Sequence, residues 1–235
     1  MALAPFLTAG VSGGGEAANA LGSATAESHA LKAAMAAATN AGSVRITVQF
    51  VTGRSTGEVV QDSGRDSGLQ TVAIGKERAS VLLLGGVAYI SGNRQAVVSY
   101  FGFPTSTGTL LAGRWISLEP SDSGYHALTG NLTLSGALVN VRPSGPLLAG
   151  KQLTVHGRLV RSISGVAPGG QGRLTLFVPV KGKPLPVEAV ESSGSGKSAA
   201  GEIVKFSRWG EHVQVPKPSG AVSIDTLLPP ISSST

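Results

Sequence analysis

Residues 43–50 read Ser-Val-Arg-Ile-Thr-Val-Gln-Phe. Val44, Ile46, Val48 and Phe50 alternate with Arg45, Thr47 and Gln49. A period of two predicts a strand with one buried and one wet face. On the N-terminal side, residues 23–40 predict a helix: Ser23 or Thr25 can cap it, Glu27 sits near its positive dipole end, and Gly42 can end it. Leu31 and Met35 are four apart and share a face, and the abundant alanine allows close packing on a sheet.

Further strands follow on the C-terminal side, at residues 56–62, 69–74, 81–84 and 87–90, with turns at Gly64-Arg65-Asp66 and Gly85-Gly86. Connections this short allow only antiparallel neighbours. From residue 94 to 142 the alternation is lost. Residues 95–100, 124–130 and 133–141 predict short helices broken by Pro104, Gly113, Pro120 and Gly130, with Leu134, Leu138 and Val141 at helical spacing. Alternation then returns at Leu153, Val155 and Leu159, and at Leu174, Leu176, Val178 and Val180. Residues 184–190 and 203–209 predict a hairpin, Val213 and Val215 a last short strand, and the chain after Ile224 a disordered tail. The order is helix, about five strands, a helical middle, about four strands. A sheet of that many strands curls as its twist accumulates. The fold class is therefore α+β: one large curved antiparallel sheet whose apolar, concave face is covered by the helices.

Composition agrees. Charged residues are 14% and glycine is frequent, at 33 of 235 residues. No apolar run approaches the ~18 residues of a membrane span. With no cysteine, disulfides, thiolate catalysis and Cys-ligated zinc are excluded. The net charge of +6 favours anionic surfaces. The Lys and Arg are scattered, and only eleven Phe, Tyr and Trp accompany them, so nucleic-acid binding is not expected while contact with a membrane surface is.

The sequence resembles the actinobacterial envelope lipoproteins of the LppX/LprG type, which share the fold of the lipoprotein carrier LolA. The alanine-rich helix running into SVRITVQF carries the likeness, with LLLGGVAYISGN at 82–93 and AGRWISLEP at 112–120. So do LTVHGRLV, LTLFVPV and LPVEAV within 153–190, and FSRWGEHVQVPKP at 206–218. The resemblance spans residues 22–224, leaving 1–21 as a disordered tail or the remnant of a signal and tether, and 225–235 as a C-terminal tail. It implies a half-barrel sheet with helices on its concave side and an apolar cavity between them. It also implies a lipid or acylated hydrophobic ligand, and a place in the cell envelope on its periplasmic or extracellular side, with membrane association open. Val11 stands where a lipidated cysteine follows Ala9-Gly10 in bacterial lipoproteins, a departure that puts the lipid anchor in doubt.

Enzymatic chemistry is not indicated, and no cofactor or metal is expected. His29, His126, His156 and His212 are far apart, and none pairs with another at metal-ligand spacing. His156 reads as a surface residue on the polar face of a strand, and His212 as one in a turn or edge strand. Gly196-Lys197-Ser198 resembles a phosphate loop, but Glu191 occupies the position of the required first glycine and a strand follows. Gly10-Val11-Ser12-Gly13-Gly14 has the nucleophile-elbow pattern in a linker with no strand before it.

The functional reading is thus a monomeric, non-enzymatic envelope carrier or binding protein for a lipid. Its expected lining is Ile46, Val48, Phe50, Val155 and Leu176 from the strands. Leu31, Met35, Leu134 and Leu138 would line it from the helices, with Tyr89, Phe101, Phe103, Trp115 and Trp209 at the mouth or in the core. The alternative is an interaction or signalling module with the same fold and a filled core.

Overall fold

The alternating stretch becomes β1 (Val44–Thr52), a central strand. On one side it pairs with β2 (Ser55–Ser63), and on the other with β12 (Ala200–Ser207), which lies far along the chain. The computed structural model describes residues 14–227 apart from 53–54, 171 and 194–199.

β1 and β2 continue through β3 (Gly68–Ile74), β4 (Glu77–Leu84), β5 (Val87–Gly92) and β6 (Ile116–Leu118) as an antiparallel meander. The second half comprises β7 (Ser144–Ala149), β8 (Leu153–Val155), β9 (Arg158–Val166), β10 (Arg173–Pro179) and β11 (Glu188–Ser193), which leads into β12. β13 (Val222–Ser223) lies parallel to β6. Among the described residues the order is β13-β6-β5-β4-β3-β2-β1-β12-β11-β10-β9-β7, with β8 also on β9. This is one curved, open, mixed sheet of thirteen strands, antiparallel everywhere except at β13.

Five helices are described. α1 (Gly14–Ala41) precedes β1. α2 (Arg94–Ser99) and α3 (Thr105–Leu111) lie between β5 and β6. α4 (Tyr125–Thr129) and α5 (Leu134–Asn140) carry the chain from β6, near one edge, to β7 at the other. Local chemistry sets their starts. The Asn93 side chain accepts from Ala96 N at 2.9 Å and Thr133 Oγ1 accepts from Gly136 N at 3.3 Å, filling orphan donors of the first turns of α2 and α5.

The inner face carries two large cores and a small cluster of Val72, Ala79 and Ala96. α1 lays Ala30, Leu31, Ala34 and Ala38 against Ile46, Leu176, Val178, Val204 and Phe206, with Leu134 and Leu138 of α5 joining them. The alanines let the helix approach closely. The second core packs Val97, Leu111 and Tyr125 on Val81, Ile90, Ile116 and Leu118, and the Tyr125 hydroxyl donates to Gly86 O at 2.6 Å.

Several expectations are corrected. α1 begins at Gly14, so residues 14–21 of the expected tail are helical; residues 1–13 lie outside the described residues. The stretch 153–159 is a hairpin rather than one strand: His156 and Gly157 have φ of 48° and 75°, the paired positive values of a tight type I′ turn, which alternation alone does not reveal. Residues 213–215 form no strand; they belong to a strap that returns from β12 to β13. The strap is held by Gly210 N to Ser43 O at 3.0 Å, by the Ser43 hydroxyl on Glu211 O, and by Val222 N to Trp115 O at 2.9 Å. A 3-10 turn at Ile224–Thr226 packs Ile224 and Leu227 on the second core, where a disordered tail was expected; residues 228–235 lie outside the described residues. β6, β7 and β13 were not legible, being short or exposed, with two of them held by pairing that only the tertiary fold supplies.

Candidate functional site

The two cores are separated by a polar seam on the inner face of β2 and β3. Gln61 is buried there with Ser63. Its Nε2 donates to Ser63 Oγ at 2.7 Å and to Asn131 O at 2.6 Å, while its Oε1 accepts from Gln70 Nε2 at 2.7 Å. The α4–α5 connection is thereby fixed to the sheet. Leu134 N donates to Gly64 O at 2.7 Å, and at Gly68 a Cβ would lie 2.2 Å from Leu132 O, so only glycine admits the loop. The trough expected from the sequence is accordingly divided by its own crossover.

A chamber remains beside the seam, between β1, β2, β12 and α5, with a volume of about 220 Å³. Ile46, Val48, Val59, Ala137, Val141 and Val204 form its apolar wall; Gln61, Gln70, Asn131, Asn140 and Glu202 make the rest polar. Phe50 and Glu202 also border a larger, open recess of about 800 Å³ at the ends of β1, β2, β11 and β12; register places most of its other lining, Gln49, Glu58, Ala73, Arg78, Val190 and Ile203, on the outer face of the sheet. The Phe50 ring lies over Gly57 on β2, where a Cβ would meet its Cζ at 2.2 Å, which holds the ring at the junction of the two spaces. Val51, Val190 and Ile203 add apolar wall to the recess, and Glu191 stands across from Glu202 in register. Burial first, and the Glu191 carboxylate second, push the Glu202 carboxyl above its ordinary range.

The expected lining residues separate into groups. Leu31, Ile46, Leu134, Leu138 and Leu176 are buried in the first core, and Met35, Val48 and Trp209 pack against it. Trp209 stacks on Phe206 at 5.8 Å between ring centroids and donates Nε1–H to Pro186 O at 3.0 Å. Phe101 and Phe103 pack on the second core. Of the fourteen, only Ile46, Val48 and Phe50 face the chamber. Two are displaced from the inner face. Tyr89 pairs with Leu82, and both point to the side opposite Ile90 and Val81, because alternation along β5 and β4 assigns them there. Val155 ends β8 in the hairpin that folds outward, its His156 tip meeting Glu188 at 2.9 Å. Trp115 is half-buried beside β13. The polar lining, Gln61, Gln70, Asn140 and Glu202, was missed because apolar periodicity does not flag polar residues on an inward face; the Gln61 position in the alternation of β2 was the available signal.

Glu27 is a further inner-face group on α1, only 7% exposed, and its Oε2 has no hydrogen-bond partner among the described residues. Neither His126, exposed and edge-on to Tyr125, nor His156, exposed in its turn, lines either space. Among the described residues no three His, Asp or Glu gather as a metal site. The phosphate-loop-like residues 196–198 lie outside the described residues, as do 10–13 of the elbow-like pattern.

A strongly curled open sheet with helices laid in its hollow defines a class, the LolA-like lipoprotein folds. Within it, the chain has the fold of the LppX/LprG-type lipoproteins. LprF from Mycobacterium bovis superposes over 83% of this chain and 98% of its own, with a TM-score of 0.52 and 15% identity. The Mycobacterium tuberculosis lipoprotein LppX does so over 82% and 99%, with a TM-score of 0.52 and 16% identity. No protein-family model matches the sequence, and none of the curated proteins does.

Proposed function

We propose that the protein is a non-enzymatic carrier or binding protein for an amphiphilic lipid of the cell envelope. The observation that carries this reading is the chamber against β1 and α5, bordered at Phe50 and Glu202 by the recess at the end of the sheet. The fold shared with the lipoprotein LppX supports the envelope setting. The chamber, at about 220 Å³, holds a short run of methylenes, and the adjoining recess, at about 800 Å³, is within the ~300–1,000 Å³ of small-molecule sites. Hydrocarbon would lie against Ile46, Val48, Val204 and Phe50, gaining about 0.8 kcal/mol per buried methylene. Gln70, Asn140 and Glu202 would meet the polar part. The chain acts without chemistry on its ligand: it shields hydrocarbon from water and releases it.

The test is native mass spectrometry of the full chain purified from its own host without detergent. A co-purifying lipid is expected, removable by organic extraction. Reloading with fatty acids of increasing length should raise affinity about fourfold per methylene until the chamber is full. Protein that is empty when isolated gently, and indifferent to chain length, refutes the reading. It would favour an interaction module with a closed core, a role to which the tight packing of the two cores is equally suited.

A further inference from the structure

Between Asp122 and Glu188 the chain has no Asp or Glu and seven Lys and Arg, more than the net +6 of the whole molecule. The fold gathers five of the seven toward one end of the sheet. β9 starts and β10 stops at that end, with Pro179 opposite Val160 and Val180 N bonded to Leu159 O at 3.0 Å. Arg158 and Arg161 belong to β9, Lys181 and Lys183 to the loop after β10, and Lys151 to the link between β7 and β8. All are exposed except Arg161, which is half-buried. The carboxylate that follows in sequence, Glu188, is engaged by His156 at 2.9 Å, with its side chain only 15% exposed.

The same end leaves aliphatic side chains uncovered. Leu159 is 48% exposed, Leu153 40% and Val180 36%. Leu159 and Val180 continue the inward rows of Ile163 and Val178 beyond the buried core. Leu153, on the neighbouring β8, pairs with Val160 and so faces the outer side of the sheet at the same end. Cations and exposed aliphatic side chains gathered at one end of the sheet match an anionic bilayer, whose headgroups attract Lys and Arg and whose acyl boundary accepts Leu and Val. Nucleic acid would use the cations and waste the aliphatics, and the exposed large hydrophobic residues of this end include no aromatic ring for bases to stack on.

We propose that this end of the sheet docks the protein on an anionic lipid bilayer. The surface is separate from the chamber, and the proposal stands whether or not the chamber carries lipid. The test uses the full chain in co-sedimentation with phosphatidylglycerol–phosphatidylcholine vesicles and with pure phosphatidylcholine vesicles. Binding is expected to the anionic vesicles only. It should weaken about fivefold for each basic residue neutralised, hence about 25-fold for Lys181→Gln/Lys183→Gln. It should largely vanish in 1 M salt, where screening acts within about 3 Å. Leu159→Gln should weaken binding at every salt concentration. Lys76→Gln/Arg94→Gln, at the opposite end of the sheet, should leave it unchanged. Lipid content by native mass spectrometry should be the same in all these variants, which separates failure of docking from failure of the carrier reading. Equal binding to both vesicle types, a Lys181/Lys183 variant that binds as tightly as the parent, or release from vesicles by a short DNA duplex would each overturn the proposal. The substituted side chains are exposed, and unchanged circular dichroism verifies the fold.

Discussion

Replacing Gln61 tests whether the seam, rather than the two cores alone, holds the crossover in the hollow. Its amide is fully used: two N–H groups donate to Ser63 Oγ and Asn131 O, and the carbonyl accepts from Gln70. Gln61→Ala removes all three bonds at a site 5% exposed, beside a Ser63 on the same strand that is 0% exposed. A buried group left unpaired costs about 1–3 kcal/mol. Ser63 loses a partner in the interior, whereas the carbonyl of exposed Asn131 and half-buried Gln70 can turn to water. Adding the small void left by the stem, the loss should be about 2–4 kcal/mol, or roughly 10 °C in Tm for a domain of this size. Gln70→Ala, losing one half-buried bond, should cost about 1 kcal/mol, and the double variant should cost less than the two single losses together. Gln61→Glu separates size from bonding: the shape is kept but both donors are lost, so a comparable destabilisation is expected. Urea unfolding of the four variants gives the values. A loss under about 1 kcal/mol for Gln61→Ala, or a Gln61→Glu protein as stable as the parent, would refute the idea that this amide stitches the loop to the sheet.

Three further substitutions address other parts of the argument. Gly68→Ala drives a methyl into the Leu132 carbonyl and should cost more than about 2 kcal/mol, measured by thermal unfolding; a neutral effect would show that the loop is free to retreat. Glu27→Met replaces a buried carboxylate whose Oε2 has no partner among the described residues with an apolar chain of similar length and should stabilise by about 1–3 kcal/mol in urea titration. Glu202→Gln should raise Tm at pH 7 and not at pH 4. Because the folded carboxyl holds its proton more tightly than the unfolded chain does, ionised Glu202 opposes folding, and that penalty is absent below the unfolded value of about 4.3 and grows as pH rises through the raised folded value. An equal Tm gain at both pH values would mean the charge is not the cause.

The division of the hollow has a functional consequence. A single apolar trough would accept hydrocarbon of any shape along its length. The α4–α5 crossover instead leaves a small chamber with a polar side, bordered by Phe50. That arrangement selects amphiphiles over pure hydrocarbon, because Gln70, Asn140 and Glu202 keep their hydration or an equivalent partner only when the ligand or water supplies one.

What the sequence settled by itself is whatever local patterning controls. Alternation from Val44 to Phe50 named the inward face of β1, the alanines of α1 announced a helix able to lie close on a sheet, and Gly85-Gly86 marked a turn. The covered, curled sheet followed, because so many short-connected strands have to twist and one greasy face has to be roofed. The folded chain alone decided the rest. β1 meets β12 from a distant part of the sequence, and β13 finds β6 through the strap. Gly68 admits a loop that no local pattern points to, and Gln61, read from the sequence as one polar residue in a strand, becomes the tie that splits the hollow. The physical reason is the same in each case: periodicity records which way a side chain points relative to its own strand, whereas contacts between distant segments depend on how the whole sheet coils and on where the crossover comes to rest.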